Sequence, residues 1–148
     1  AMTKHDAIKA YFGDKVAELA KDVPGFNFSP DYPGAVAIVT DYSDKVKKKY
    51  IRVGADKEYG FSIILTKEYS TDMDALNLEA MNFAQAFMDW LEIQDKKGIY
   101  PEFPDGCQIK KMECLQNMPN LAGINAKEGL ARYMIQCKIT YFEKEVAV

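Results

Sequence analysis

Between residues 70 and 97 the chain runs STDMDALNLEAMNFAQAFMDWLEIQDKK, with no proline or glycine inside it. Leu76, Ala80, Phe83, Ala84, Phe87, Trp90 and Leu91 recur at three- and four-residue spacing, so a helix gathers them into one apolar stripe. Asp74, Glu79, Asp89, Glu92 and Asp95 fall mostly off that stripe and are free to face water. Ser70, Thr71 and Asp72 can accept from the unpaired amides of the first turn, and Thr71 with Asp74 resembles a capping box. At the far end Lys96 and Lys97 suit the negative pole of the dipole, Gly98 can turn left-handed, and Pro101 cannot extend the helix. A helix of about 25 residues is a rod of roughly 37 Å. Its aromatic stripe needs a flat apolar cover, and a β-sheet supplies one.

The remaining segments provide that sheet. Residues 3–21 predict a first helix, capped by Thr3 with Asp6 three positions on, and with Ile8, Phe12, Val16 and Leu19 on its apolar face. The sequence DVPG at 22–25 ends it, and 26–34 reads as a proline-containing loop or short extended piece. AVAIVT at 35–40 is short, apolar and β-branched, as a buried strand is. Residues 41–44 read as a turn, 46–53 as a strand with one wet face, and 54–57 as the next turn. Residues 58–68 then alternate, with Tyr59, Phe61, Ile63 and Leu65 on one side, and pair with 46–53 as a hairpin. After the long helix, 98–106 is a loop, 108–115 a strand and 116–129 a long Asn/Gly/Pro-rich turn. Residues 130–142 are the clearest strand, with Tyr133, Ile135, Cys137, Ile139 and Tyr141 sharing one face. The expected fold is a single α+β domain over 1–148: a mainly antiparallel sheet of about four to five strands, with two helices packed on one face.

Composition restricts the function classes. A net charge of −3 argues against a nucleic-acid binder held by phosphate neutralisation. No apolar run is long enough to span a membrane and no secretory signal pattern is expected. Cys107, Cys114 and Cys137 are odd in number and lack a C-x-x-C pair, which points to small buried hydrophobes in a reducing compartment rather than a disulfide framework. The single histidine, His5, reads as a solvated helix residue. Phosphate-binding glycine loops, H-E-x-x-H and EF-hand loops do not occur, so no cofactor, metal or catalytic residue is assigned. The acidic residues of the long helix read as a solvated face, and the methionines at 73, 81, 88, 112, 118 and 134 as core filler.

Three regions remain as candidate contacts, one of them the hairpin 46–68, which could extend a sheet across a subunit boundary. Lys47, Lys48 and Lys49, with Tyr50 and Arg52, form the only basic cluster, which suits either an edge strand charged against wrong pairing or a patch for acidic groups. Met118, Pro119, Asn120 and Leu121 form a candidate apolar loop contact.

Three stretches carry a family resemblance: KKYI at 48–51, FSIILTKEYSTDMDALNLEAMNFAQAFMDWLEIQDKKGIYPEF at 61–103, and ARYMIQCKITY at 131–141. Their order of strand, aromatic-rich helix, K-G-x-x-P-E loop and terminal R-Y-x-I-Q-C strand resembles the bacteriophage minor capsid proteins, which are similar to siphophage tail terminators. The resemblance implies a non-enzymatic virion protein, working in the tail after assembly in the host cytoplasm. It implies a self-associated hexameric ring that caps the tail tube, touching the tail tube protein on one side and the head–tail connector protein on the other. It implies neither a specific nucleic-acid site nor a membrane. The alternative from the residues alone is a small adaptor or ligand-binding domain, with Phe83, Phe87 and Trp90 walling a cleft between helix and sheet. An enzyme is a third reading, for which the acid–base inventory is thin.

Overall fold

The computed structural model describes residues 3–20, 24–27, 34–68, 73–115, 120–125 and 129–145, with 68, 73–77 and 120–125 described by their backbone. Helix α1 spans Lys4–Ala20 and helix α2 Met73–Lys97. The strands are β1 (Gly25–Phe26), β2 (Val36–Tyr50), β3 (Gly54–Glu68), β4 (Cys107–Cys114), β5 (Asn120–Asn125) and β6 (Leu130–Lys144). They form one six-stranded sheet in the order β1-β2-β3-β6-β4, with β5 sharing the outer edge of β6 with β4. Among the described residues only the short β1–β2 pairing is parallel, so the fold is α+β with a mostly antiparallel sheet.

The helix ends follow local chemistry. At α1 the Thr3 hydroxyl accepts from the Asp6 amide at 3.1 Å and the Asp6 carboxylate accepts from the Thr3 amide at 3.1 Å, a reciprocal capping box. These bonds hold the Asp6 carboxyl below its ordinary range. At α2 Gly98 adopts φ 69°, the Ile99 amide donates to Gln94 at 3.0 Å and the Gly98 amide to Asp95 at 3.2 Å, the Schellman pattern that satisfies the last carbonyls. The capping positions proposed at Ser70, Thr71 and Asp72 lie outside the described residues.

The core lies between the helices and one face of the sheet. Ile8, Phe12 and Val16 of α1 and Ala80, Ala84, Phe87 and Leu91 of α2 are buried against Tyr59, Phe61, Ile63 and Leu65 of β3 and Tyr133, Ile135, Cys137, Ile139 and Tyr141 of β6. The Phe12 ring is the hub, with its centroid 4.7 Å from Phe61, 6.1 Å from Phe87 and 5.9 Å from Trp90. Burying each such side chain stabilises the fold by about 1.5–3 kcal/mol. Tyr11 ties the middle of α1 to the C-terminal end of α2, its hydroxyl donating to the Ile99 carbonyl at 2.5 Å and accepting from Gln94 at 3.0 Å. The Asp95 carboxylate then accepts from the Met112 amide at 3.0 Å, which anchors α2 to β4.

Three local expectations are corrected. Residues 41–44 are not a turn: β2 runs unbroken through them and absorbs extra residues as irregularities between Thr40 and Tyr42 and between Tyr42 and Lys45. Asp44 sits there at φ 55°, which aspartate tolerates better than most residues. Residues 54–57 are likewise strand, because the reversal occurs at 51–53. Here Gly54 lies so near β6 that a Cβ would meet the Glu143 carbonyl oxygen at 2.2 Å, so the chain has already joined the sheet. Finally, 116–129 is not all turn, since β5 pairs Leu121 with Tyr133 and Ile124 with Ala131 along an edge of β6 that β4 does not reach.

Candidate interaction surface

The far half of the β2–β3 hairpin projects beyond the helical layer. Val46 is paired with Lys57 and so faces the side of the sheet that the helices cover further along, yet it is 55% exposed. Ile51 at the tip is 87% exposed and Val53 is 56% exposed. Around them Lys45, Lys47, Lys48, Lys49 and Arg52 are all exposed. The arm therefore presents apolar side chains inside a basic surround, which neither a solvated face nor a core segment requires.

The hairpin is held at its turn, which β6 flanks as far as Lys144. The Glu145 amide donates to the Val53 carbonyl at 2.9 Å, and the Lys144 amide to the Gly106 carbonyl at 2.7 Å. On the sheet face away from the helices, the Tyr50 hydroxyl donates to Asp56 at 2.9 Å, Lys110 pairs with Asp56 at 2.8 Å, and the Lys48 ammonium lies 5.2 Å from the Tyr50 ring centroid. The Lys110 hydrogen bond holds the Asp56 carboxyl below its ordinary range. Among the described residues Lys47, Lys49 and Arg52 form no ion pair, so their charge is turned outward. Beside them runs an open groove of about 460 Å³ lined by Val46, Lys49, Tyr50, Lys57, Glu143 and Lys144.

The outer edge of β2 is the second element. Strand β1 covers only Ala37 and Ile38, and Asn27 extends the cover by accepting from the Thr40 amide at 2.7 Å. Past Thr40 no described strand pairs with this edge. The lysines along it oppose indiscriminate pairing by like-charge repulsion, while leaving the edge open to an acidic partner strand.

The other candidate contacts fall elsewhere. Met118 and Pro119 lie outside the described residues, and Asn120 and Leu121 belong to β5 rather than to a loop. Their partners Met134 and Tyr133 are near the start of β6, whereas the hairpin tip borders its end at Lys144. At about 3.3 Å per residue the two regions are some 33 Å apart along the strand, so they do not form one surface.

The acidic outer face of α2, a candidate counterpart for the lysines, also carries apolar side chains. Glu79, Asp89 and Glu92 are exposed, and Leu78, Met81 and Ile93 are exposed large apolar residues near them. Met81 is thus not core filler, unlike Met112, which is buried. Its off-stripe position was the available signal. Phe87 is fully buried, Phe83 and Trp90 pack against the same cluster, and so the aromatic stripe fills the space between helix and sheet. Of the three, only Phe83 lines the groove of about 360 Å³ between the helices, with Leu19, Leu65 and Glu79.

His5 is exposed but not merely solvated, because its Nδ1 lies 2.8 Å from the buried Tyr59 hydroxyl, which Thr40 also meets at 2.7 Å. Among the described residues no group of three or more His, Cys, Asp or Glu side chains is placed to hold a metal ion. No described helix is long and apolar enough to cross a membrane. Neither a protein-family profile nor a curated protein matches this chain.

Proposed function

We propose that the chain is a non-enzymatic structural subunit of a phage or prophage virion, of the tail-terminator or minor capsid type. It self-associates into a ring at the head-proximal end of the tail tube. The observation that carries this reading is the basic, apolar-tipped hairpin arm on one element and the acidic, partly apolar face of α2 on another. A ring of identical subunits needs two unlike, complementary surfaces, because each subunit meets its neighbour head to tail. Lys47, Lys49 and Arg52 supply one sign of charge and Glu79, Asp89 and Glu92 the other, with Ile51 and Val53 facing Leu78, Met81 and Ile93 as the apolar counterpart. The α+β fold agrees with what the resemblance over 48–141 implies. The tube protein and the head–tail connector protein are the further partners, and the net charge of −3 suits a passage through which DNA slides without adhering.

Association costs each subunit its translational freedom, so the ring is expected to be favoured on the tube end over dilute solution. The test is chemical cross-linking of concentrated protein, alone and with tube protein, read as oligomer mass. Wild-type chain should give a closed ladder, and the Lys47→Glu, Lys49→Glu, Arg52→Glu variant should lose it. Partial recovery is expected when that variant is mixed with a Glu79→Lys, Asp89→Lys, Glu92→Lys variant. An unchanged ladder in the first variant would remove the hairpin from the contact.

A further inference from the structure

We propose that Cys114 and Cys137 form an oxidisable dithiol, at which a hydroperoxide converts the reduced pair into a disulfide that staples β4 to β6. The two residues are direct cross-strand partners at the end of the β4–β6 ladder, and their sulfurs lie 3.3 Å apart. The next pair fixes the geometry. The Leu115 amide donates to the Gln136 carbonyl at 2.9 Å, which makes Cys114–Cys137 a non-hydrogen-bonded pair. In such pairs the Cα atoms approach to roughly 4.5 Å and the side chains are closest, within the span a disulfide bridges. Closing the bond therefore needs a sulfur movement of about 1 Å, with the strands left in register.

The two thiols are not equivalent. Cys137 is buried on the core face, whereas Cys114 is half-buried and lines a groove of about 250 Å³ with Met88, Glu92 and Lys111. Burial, and then the Cys114 sulfur beside it, push the Cys137 thiol well above its ordinary range. Cys114 is therefore the residue that reacts first. Its thiolate attacks one oxygen of the hydroperoxide, the O–O bond breaks, and a sulfenic acid forms with release of hydroxide or alkoxide. The Cys137 sulfur then attacks the Cys114 sulfur, the S–O bond breaks, and the hydroxyl departs as water with the Cys137 proton. For hydrogen peroxide, two thiols and one peroxide give one disulfide and two waters. Cys107 takes no part, because it stands opposite Glu143 at the other end of the eight-residue β4, roughly 23 Å away.

The experiment treats the full chain with hydrogen peroxide, quenches it, and counts free thiols by maleimide labelling after denaturation, followed by unreduced peptide mapping. The expected product retains one labelled thiol, at Cys107, and one intramolecular link joining the Cys114 and Cys137 peptides. Reduction should restore all three thiols. Amide exchange along β4 should slow in the oxidised chain. Cys107→Ser should leave the link intact and Cys114→Ala should abolish it. The proposal is overturned if Cys107 oxidises while the pair stays reduced, if Cys114 stops at the sulfinic acid, if the link joins two chains, or if no oxidation occurs. The wild-type map decides the matter even where a cysteine variant folds poorly, and it does not depend on the ring.

Discussion

The buried Tyr141 hydroxyl donates to the Asp44 carboxylate, joining the last strand to the bulged middle of β2 across a sequence separation of 97 residues. Lys4 reaches the same carboxylate at 2.6 Å and Glu143 at 3.2 Å, and Glu143 also pairs with Lys57. The left-handed Asp44 thus has a structural purpose. It aims the carboxylate at Lys4 and Tyr141, so that the start of α1, the bulge and the end of β6 share one ionic cluster.

This cluster predicts a stability profile that sags at both pH extremes. Burial raises the Asp44 and Glu143 carboxyls, but Lys4 acting on both, Tyr141 on Asp44 and Lys57 on Glu143 outweigh it, so both lie below their ordinary values. Their stabilising effect is complete above the unfolded carboxylate range of about 4 and is lost as pH falls through the folded values. Lys4 and Tyr141 are raised, so their effect is complete below about 10 and is lost as pH rises. Melting temperature should be flat from about pH 5 to 8 and fall on either side, the raised Cys137 thiol adding to the alkaline limb. Asp44→Asn should lower the plateau and flatten the acid limb. An unchanged acid limb in that variant would show that Asp44 is not part of it.

Phe87 is fully buried between Phe12 and Trp90. Phe87→Ala should cost about 3–5 kcal/mol in a urea titration, as deletions of large buried rings do. A loss below about 1 kcal/mol would place this side of α2 outside the core.

Gly60 is held by a neighbour rather than by its own backbone. Its Cβ would meet the Tyr42 ring at 2.4 Å, so Tyr42 occupies this place only because position 60 has no side chain. Gly60→Ala should destabilise by about 1–3 kcal/mol through overpacking. The Gly60→Ala, Tyr42→Ala double variant should lose less than the sum of the two single changes, and strict additivity in the same titration would show the residues to be uncoupled.

Regular periodicity made much of this fold legible. The alternation at Tyr59, Phe61, Ile63 and Leu65 and at Tyr133, Ile135, Cys137, Ile139 and Tyr141 gave the core faces of β3 and β6, and the stripe from Ala80 to Leu91 gave the buried face of α2. Bulges were illegible, because Asp41, Ser43 and Asp44 break the two-residue period just as a turn does, and only pairing with β3 tells the two apart. Strand β5 was illegible because its Asn and Gly residues have low strand propensity, and the waiting edge of β6 recruits them. The lysines of the candidate contact could be seen in the sequence. The exposure of Val46, Ile51 and Val53 could not, since it depends on where the helical layer ends.

The most direct measurement of the proposed role is electron microscopy of particles made by the source phage or induced prophage after deletion of this gene. If the chain caps the tube, the deletion gives tail tubes of irregular, excessive length that remain unjoined to filled heads, with normal tails restored when the wild-type gene is supplied in trans. Tails of normal length attached to heads in the deletion would contradict it.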